Sequence, residues 1–171
     1  MPKFVFSDPH FFSERIIINC RRPFSSISEM NKTIIHRYNE VISKHDRCYW
    51  LGDVMYGATK DKVRAILSQM HGRKDLILGN HDRNHSATWW RDAGFDTVFE
   101  HPIYLAEEYI MLSHEPLLEF RYTTPTVNIH GHTHNINLPY QNFINVCVEQ
   151  TNYRPVPLCN PFLIKKREFE R

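Results

Sequence analysis

Carboxylate, amide and imidazole side chains gather in five short clusters along this sequence. The clusters hold Asp8 and His10, Asp53, Asn80 and His81, His114, and His132 and His134. Imidazole suits Mn, Fe, Zn, Ni or Co better than Mg or Ca, which prefer oxygen ligands alone. The chain of 171 residues has 11 histidines, which is an excess, and histidine is a frequent metal ligand in proteins. These residue types predict a site for divalent transition-metal ions.

The number of donor side chains indicates more than one ion. Apart from His81, the clusters supply two Asp, one Asn and four His side chains. A single catalytic ion needs fewer, because it keeps one position open. The count fits two ions if Asp53 bridges them. Two ions ~3.5–4 Å apart can clamp a phosphoryl group and activate a bridging water to hydroxide, so the pattern predicts hydrolysis of a phosphate ester.

Each cluster comes directly after an apolar run that is predicted to be a strand. These strands are predicted at residues 3–7, 48–51, 76–78, 109–112 and 126–129. In α/β proteins, ligands bind at the carboxyl ends of the strands, so five loops at one sheet edge can converge on one pocket. Gly52, Gly79 and Gly131 fit such turns, because close approach of two backbones requires a residue without a Cβ.

The remaining pattern predicts an α/β core in one domain over residues 1–171. Helices are predicted from an N-cap at Ser28, from about Thr59, and over Ser86 to Ala93 with a stop at Gly94. Residues 8–23 are predicted to form a polar and basic loop. Short strands are predicted at 97–99, 103–105 and 143–148. Strand and helix alternate in the first half, whereas the second half is mostly strand and is expected to lean toward antiparallel pairing.

Composition excludes several classes of protein. The chain has 21 basic and 19 acidic residues, a net charge of +2, which is less basic than a dedicated nucleic-acid binder. It has neither an apolar run near the ~20 residues of a membrane helix nor a signal-peptide pattern. We therefore expect a soluble, cytoplasmic protein without a membrane or an obligate protein partner. Its four cysteines form no C-x-x-C pair, which favours buried reduced thiols over structural zinc or disulfides.

Taken in order, the five clusters are similar to the motifs of a known superfamily. The motifs are D-x-H (Asp8-Pro9-His10), G-D (Gly52-Asp53), G-N-H-D (Gly79 to Asp82), a lone His114 and G-H-x-H (Gly131 to His134). This set resembles the calcineurin-like metallophosphoesterase superfamily. Arg21-Arg22-Pro23-Phe24 and Asn152 to Val156 look like its small single-domain bacterial and phage-type members. The resemblance implies a β-sandwich flanked by α-helices, with the metal site at the carboxyl ends of the strands.

The resemblance also implies a role for each cluster residue. Asp8, His10 and His134 would hold one metal ion, and Asn80, His114 and His132 the other. Asp53 would bridge the two ions. His81 would contact the phosphate and protonate the departing oxygen, a role that suits a group with a pKa near neutrality. The implied cofactor is a pair of divalent transition-metal ions, manganese foremost, with Fe, Zn, Ni or Co as alternatives.

Two departures from family patterns bear on the substrate. Phosphoprotein phosphatases carry G-D-x-x-D-R-G, but residues 52–57 read G-D-V-M-Y-G, which counts against a Ser/Thr protein phosphatase. The loop after D-x-H reads His10-Phe11-Phe12-Ser13 instead of H-F-G-H. The interval from His81 to His114 has no room for a large cap, which favours a phosphodiesterase acting on nucleotides or nucleic-acid fragments. A broad-specificity phosphomonoesterase and a non-catalytic scaffold of the same fold are the alternatives.

Several further residues have two interpretations. Arg15, Arg21 and Arg22 either reach an anionic substrate or lie in a solvated loop. Asp82 either orients a neighbour or binds backbone amides. Trp89-Trp90 is better explained by core packing than by stacking on a base.

Other histidines and the chain end are expected to be structural. His130 lies in a predicted strand, which favours a core or supporting role. Five more histidines are expected at the surface: His36, His45, His71, His85 and His101. The charged end, Lys165-Lys166-Arg167, is expected to be solvated.

Overall fold

A computed structural model of the chain describes residues 1–119, 121 and 123–161. The described strands are β1 (Lys3–Phe6), β2 (Arg47–Trp50), β3 (Arg73–Ile77), β4 (Thr97–Phe99), β5 (Ile103–Leu105), β6 (Ile110–Ser113), β7 (Val127–His130), β8 (Phe143–Asn145) and β9 (Val156–Pro157). The described α-helices are α1 (Glu14–Asn19), α2 (Ile27–Asn39), α3 (Lys60–Leu67) and α4 (Ala87–Ala93). The predicted mixed α/β class is confirmed. The basic tail at 165–167 lies outside the described residues.

The first sheet has the strand order β4-β3-β2-β1-β9. Strands β1 to β4 pair in parallel, and β9 pairs antiparallel with β1 at the edge. In the shared register Phe6 lies beside Trp50, and Trp50 beside Leu76. The carboxyl ends of β1, β2 and β3 therefore meet at one edge, as the sequence predicted.

The second sheet has the order β5-β6-β7-β8, and here the expected antiparallel lean is wrong. Only β5–β6 is antiparallel in this sheet as described, whereas β6–β7 and β7–β8 are parallel. The connections over 114–126 and 131–142 are long enough for parallel crossovers, which a hairpin turn is not. The parallel pairing brings the ends of β6 and β7, and thus His114 and His132, to the same edge.

Three of the described α-helices, α1, α2 and α4, start at serine caps, whereas α3 starts at Thr59 without a side-chain cap. The Ser26 hydroxyl accepts from the Glu29 backbone N–H at 3.2 Å, so the cap of helix α2 lies two residues before the predicted cap at Ser28. The Ser86 hydroxyl caps α4 in the same way, and Gly94 ends it with a φ of 126°. Helix α1 was not predicted. Its cap is Ser13, and Ile16 is its buried apolar residue, too little to produce a helical pattern in the sequence.

Two apolar clusters lie on the two faces of the first sheet. One joins β1, β2 and β3 to the helices and centres on Phe6, Tyr38, Trp50 and Trp90, all of them fully buried. The other lies between the two sheets and receives side chains from both of them. The first sheet and the loop after β2 contribute Val5, Tyr49, Leu51 and Ile77, and the second sheet contributes Ile110, Leu112, Val127 and Ile129. Burial of apolar surface on both faces holds the strand ends in fixed positions.

The burial of the cysteines was predicted only in part. Cys48 and Cys147 are buried free thiols, whereas Cys20 is half-buried and Cys159 is exposed. Among the described residues, we find no helix with the length and apolar character needed to cross a membrane.

Candidate metal centre

The loops that leave β1 and β2 are tied together by their backbones. The N–H of Asp8 donates to the carbonyl of Gly52 at 3.1 Å, and the N–H of His10 donates to the carbonyl of Asp53 at 3.1 Å. An isolated parallel bridge also joins Ser7 to Cys147, beyond the end of β8. These contacts extend both sheets past their last regular residues. They bring loops that are far apart in sequence to one place.

One group of candidate ligands lies between β1 and β2. Ligand atoms of Asp8, His10 and Asp53 all lie within 4.8 Å of one another. Nε2 of His10 is 3.8 Å from Oδ1 of Asp8 and 3.4 Å from Oδ2 of Asp53. Nε2 of His134 lies 4.0 Å from Oδ1 of Asp8, and its ring centroid is 5.2 Å from that of His10. Two carboxylates and two imidazoles therefore face one small volume.

A second group shares Asp53 with the first. Ligand atoms of Asp53, His114 and His132 lie within 4.8 Å of one another. Oδ1 of Asn80 is 2.8 Å from Nε2 of His114 and 3.1 Å from Nδ1 of His132. Metal–nitrogen bonds of ~2.0–2.1 Å place neighbouring ligand atoms roughly 3.0–3.4 Å apart. The spacing of the three donor atoms is close to that of ligands around one ion.

Unpartnered buried atoms indicate what the first group is built to hold. Oδ1 of Asp8 and Nε2 of His10 are buried without a hydrogen-bond partner in the described part of the protein. Such groups carry a desolvation cost unless a charge or donor compensates them. Burial, the Arg22 charge and the neighbouring histidines hold the pKa of His10 well below its ordinary value. His10 is therefore a neutral imidazole, the form in which it can bind a cation.

The tautomer of His114 follows from its surroundings. Its Nδ1 lies 2.7 Å from the carbonyl oxygen of Leu51, which only accepts hydrogen bonds. Nδ1 therefore carries the proton and donates it. In the neutral ring this leaves a lone pair on Nε2, which faces Asn80 and lies 3.5 Å from Oδ1 of Asp53. The ring is oriented as a ligand.

The backbone of the candidate ligands is unusual. Five of them have φ in the left-handed region: Asp8 at 58°, His10 at 48°, Asp53 at 53°, His132 at 68° and His134 at 47°. Residues other than glycine adopt this backbone region uncommonly, and the strain costs roughly 1–3 kcal/mol at each position. Such residues cluster at functional sites, where the surrounding structure holds them in place.

Two glycines allow the loops to approach closely, as the sequence predicted. A Cβ on Gly79 would collide with the carboxylate of Asp53, and a Cβ on Gly131 would collide with the hydroxyl of Ser7 and the carboxylate of Asp8. Any larger residue at either position would push a candidate ligand away. Both glycines are thus part of the site rather than generic turn residues.

Asp82 binds backbone amides, which is one of its two predicted roles. Its carboxylate accepts from the N–H groups of Asp53 at 2.7 Å, Gly79 at 2.9 Å and Val54 at 3.0 Å. Burial and the nearby Asp53 carboxylate raise the pKa of Asp82 to about 7. A single fully buried side chain therefore holds the loop after β2 against the loop after β3.

Arg22 and Glu149 support the site from behind, and sequence reasoning missed Glu149. Arg22 is 4% exposed, so it does not lie in a solvated loop. It donates to the carbonyls of Asp8 and Pro9, each at 2.7 Å, and to Oε1 of Glu149 at 2.7 Å. Oε1 of Glu149 also lies 3.1 Å from Nδ1 of His134. The R-R-P segment gave a signal for Arg22, but nothing in the sequence marked Glu149.

Cys147 also lies beside the first group. Its thiol donates to Oδ2 of Asp8 at 3.3 Å and accepts from the N–H of His134 at 3.2 Å. Burial and the Asp8 charge raise its pKa far above the ordinary value of a thiol. In the metal-free protein Cys147 therefore supports the loops as a neutral hydrogen-bonding group, and its Sγ also lies within 4.8 Å of ligand atoms of Asp8 and His134.

His81 lies at the open side of the site. Its side chain is 42% exposed, and its Nε2 is 3.9 Å from Oδ2 of Asp53. The ring makes edge contacts with His10 at 5.5 Å and with the exposed Tyr56 at 5.8 Å. Its backbone N–H donates to Oδ1 of Asp53 at 3.0 Å, so the partly exposed side chain lies at the rim of the ligand cluster.

The other histidines and the tryptophans lie largely as expected. His130 is fully buried, with Nδ1 2.8 Å from the carbonyl of Gly131. Trp90 is fully buried, whereas Trp89 is only half-buried and stacks on His85. His36, His45, His71 and His101 are exposed.

Comparison with known proteins gives relatives without a named activity. No family model matches the chain. The uncharacterized protein MJ1445 of Methanocaldococcus jannaschii is 36% identical over 163 residues, which cover 91% of this chain and 86% of that protein. The gene 66 protein of Mycobacterium phage L5 is 32% identical over 159 residues, covering 75% of each chain.

Comparison with solved structures shows a shared fold but no activity. The crystal structure of AQ665, a protein of unknown function from Aquifex aeolicus, aligns with a TM-score of 0.69 and 24% identity, over 99% of this chain and 97% of that one. This match shows a shared fold and nothing about activity. A novel archaeal phosphodiesterase aligns with a TM-score of 0.44 and 15% identity, over 92% of this chain and 100% of that one, so the two structures are only distantly similar.

Proposed function

This chain belongs to the family of the M. jannaschii protein MJ1445 and the phage L5 gene 66 protein, and we propose that it is a two-metal phosphoesterase of the calcineurin-like superfamily. The observation that supports this most is the sharing of Asp53 between two groups of donor atoms. Oδ2 of Asp53 faces His10, and Oδ1 faces His114. A carboxylate that offers one oxygen to each side is suited to bridge two cations.

The ligand assignment is part of the proposal. Asp8, His10, Asp53 and His134 would hold one ion, and Asp53, Asn80, His114 and His132 the other. The unpartnered atoms of Asp8 and His10 and the lone pair of His114 support it. Two such ions, manganese foremost, would supply charge neutralisation for a phosphoryl group and a lowered pKa for a water molecule. A sandwich of the two sheets flanked by helices is the matching fold, supported by the apolar cluster between them.

The chain's own groups would do three further things. Asp82 fixes the loops that carry Asp53 and Asn80, so these side chains are oriented before any substrate binds. Glu149 holds the His134 ring through its Nδ1. His81, exposed and close to Asp53, can donate a proton to the departing oxygen of an ester that binds on the open side.

We favour a phosphodiesterase over a phosphomonoesterase. Between His81 and His114 the chain forms only a short 3-10 helix at Asp82–Asn84, helix α4 and the short strands β4 and β5 before β6 begins. No described segment in this interval forms a cap, and the exposure of His81 leaves room for groups on both sides of a phosphate.

The proposal is tested with the purified chain, Mn²⁺ and two chromogenic substrates. Bis-nitrophenyl phosphate and nitrophenyl phosphate separate diester from monoester hydrolysis, and metal analysis gives the number of bound ions. We expect two equivalents of metal and faster diester hydrolysis. Absence of both metal and hydrolysis would identify a scaffold instead, and a monoester preference would correct the substrate class.

A further inference from the structure

A cleft leads away from the candidate metal centre between the loop after β3 and the loop that joins β4 to β5. Its outer part has a volume of about 410 Å³ and is lined by Arg83, His85 and His101, among others. An inner part of about 190 Å³ shares Leu78, Arg83 and His101 with it and ends at His114. The cleft thus runs from a candidate ligand, His114, to an outer surface that has no role in the proposed hydrolysis.

One lining residue of the outer part, His85, packs against two tryptophans. The rings of His85 and Trp89 stack at 3.9 Å with an angle of 7°, and Trp90 meets His85 edge-on at 6.1 Å. The backbone is fixed as well, because the N–H of His85 and the indole N–H of Trp90 both donate to the carbonyl of Asp82, at 3.1 and 3.0 Å. The imidazole of His85 is therefore a supported, preorganised plane at the wall of the cleft.

The charges of the cleft select against a long polyanion. Arg83 lines both parts, but the carboxylates of Glu100 and Glu115 lie along the same walls. Apolar side chains of Pro102 and Leu117 complete the inner part. The outer part is lined mainly by polar side chains, among them Asn84, Ser86 and Glu100. Such groups can exchange hydrogen bonds with a heteroaromatic base and with sugar hydroxyls, and the carboxylates repel further phosphates.

We propose that this cleft binds the nucleoside of a nucleotide diester whose phosphate lies at the metal centre, with the base stacked on His85. The substrate is then a small nucleotide diester rather than an extended nucleic acid. The inference rests on the proposed phosphoesterase function, because that function places the phosphate. Stacking of bases on aromatic side chains tolerates different bases, so the cleft is expected to select nucleosides without strict choice among them.

Binding is measured first, because it needs no turnover. Isothermal titration of the full chain compares adenosine 5′-monophosphate with ribose 5-phosphate, which has the same phosphate and sugar but no base. We expect the nucleotide to bind more tightly. His85→Ala should weaken nucleotide binding by about 5- to 100-fold, which is the range for loss of one stacking aromatic, and leave ribose 5-phosphate unchanged. His85→Phe should restore most of the loss, and His36→Ala, at an exposed position on α2, should change neither.

Kinetics then separate this inference from the proposed function. Thymidine 5′-nitrophenyl phosphate and methyl nitrophenyl phosphate share one leaving group, and only the first has a nucleoside. His85→Ala should lower kcat/KM for the thymidine ester alone. Equal binding of the two phosphates by the wild type, or equal losses in the variant, would overturn the nucleoside cleft while leaving the phosphoesterase intact. If no ester is hydrolysed the phosphoesterase fails, and the titrations still decide whether the cleft binds a base.

Discussion

Oε1 of Glu149 lies 3.1 Å from Nδ1 of His134, so a carboxylate from beyond β8 holds a candidate ligand by the ring atom that faces away from Asp8. The same oxygen accepts from Nε and Nη2 of Arg22. Nη2 also donates to the backbone carbonyl of Asp8, and Nη1 donates to that of Pro9. One buried ion pair therefore links the loop of the first candidate ligand to the side chain of the last. A carboxylate behind a metal-binding histidine fixes its tautomer and raises its basicity.

Glu149→Gln is expected to weaken metal binding on the His134 side by about 10- to 100-fold, the usual cost of losing such a partner. The second ion should bind as in the wild type, because Asn80, His114 and His132 do not contact Glu149 in the described structure. Titration calorimetry with Mn²⁺ resolves the two events. Glu40→Gln is the matched control, since Glu40 pairs with Arg154 at the surface. Equal weakening of both ions would contradict this separation.

The Glu149–His134 pair makes the stability of the metal-free protein depend on pH. Burial lowers the pKa of His134, but hydrogen bonds with Cys20 and Glu149 outweigh it and raise the pKa to about 10, above ~6.5 for a free imidazole. The folded chain then binds more protons than the unfolded chain between these values. The contribution of protonated His134 to the free energy of unfolding is complete below about pH 6.5 and is lost as pH rises through about 10.

Denaturant unfolding of the metal-free protein at several pH values measures this effect. We expect the free energy of unfolding to fall by about 1–3 kcal/mol from pH 7 to pH 10 in excess of the fall for Glu149→Gln. The comparison with the variant removes contributions from lysines and tyrosines that titrate in the same range. Parallel curves for the two proteins would show that the pair does not hold the proton.

Asp53→Ala should empty or disorder both metal positions and abolish hydrolysis, because the two groups of donor atoms share only this residue among the described side chains. Metal analysis of the purified variant checks the first part. A variant that still binds two equivalents of Mn²⁺ would show that the ligand assignment is wrong, whatever its activity.

Asp82→Ala tests whether the loops need their shared acceptor. The substitution leaves three buried N–H donors, from Asp53, Val54 and Gly79, without a partner. A loss of roughly 3 kcal/mol or more in the free energy of unfolding is expected, since each unsatisfied buried donor costs ~1–3 kcal/mol. Asp82→Asn keeps one acceptor oxygen and should lose less. A loss below about 1 kcal/mol for alanine would indicate that water replaces the carboxylate.

Strand ends could be predicted from the sequence because apolar runs stop at recognisable Asp, Asn, His and Gly residues. The parallel pairing of β6, β7 and β8 could not, since it depends on crossover paths rather than on local pattern. The left-handed backbone at Asp8 and His134 could not be predicted either, because tertiary contacts impose this conformation on residues other than glycine. Glu149 and Arg22 are separated by 127 residues, a pairing that no local signal encodes.

His81 can be separated from the ligand candidates by its geometry. Its side chain is 42% exposed, and among the described residues it belongs to none of the groups whose donor atoms lie within 4.8 Å of one another, so its removal should leave both metal ions bound. Loss of a general acid costs ~10²–10⁴-fold in rate. A poor alkoxide leaving group needs the proton, whereas a nitrophenolate departs largely without it.

His81→Asn should therefore retain two equivalents of metal and lose much more activity on a nucleotide ester with an alkoxide leaving group than on a nitrophenyl ester. Metal analysis and steady-state rates on the two substrates check this together. Tyr56→Phe is a useful companion, because it keeps the ring that contacts His81 at 5.8 Å and should keep the leaving-group dependence of the wild type. If both esters slow equally in His81→Asn, the histidine stabilises charge on the phosphoryl group instead. Loss of metal would make it a ligand.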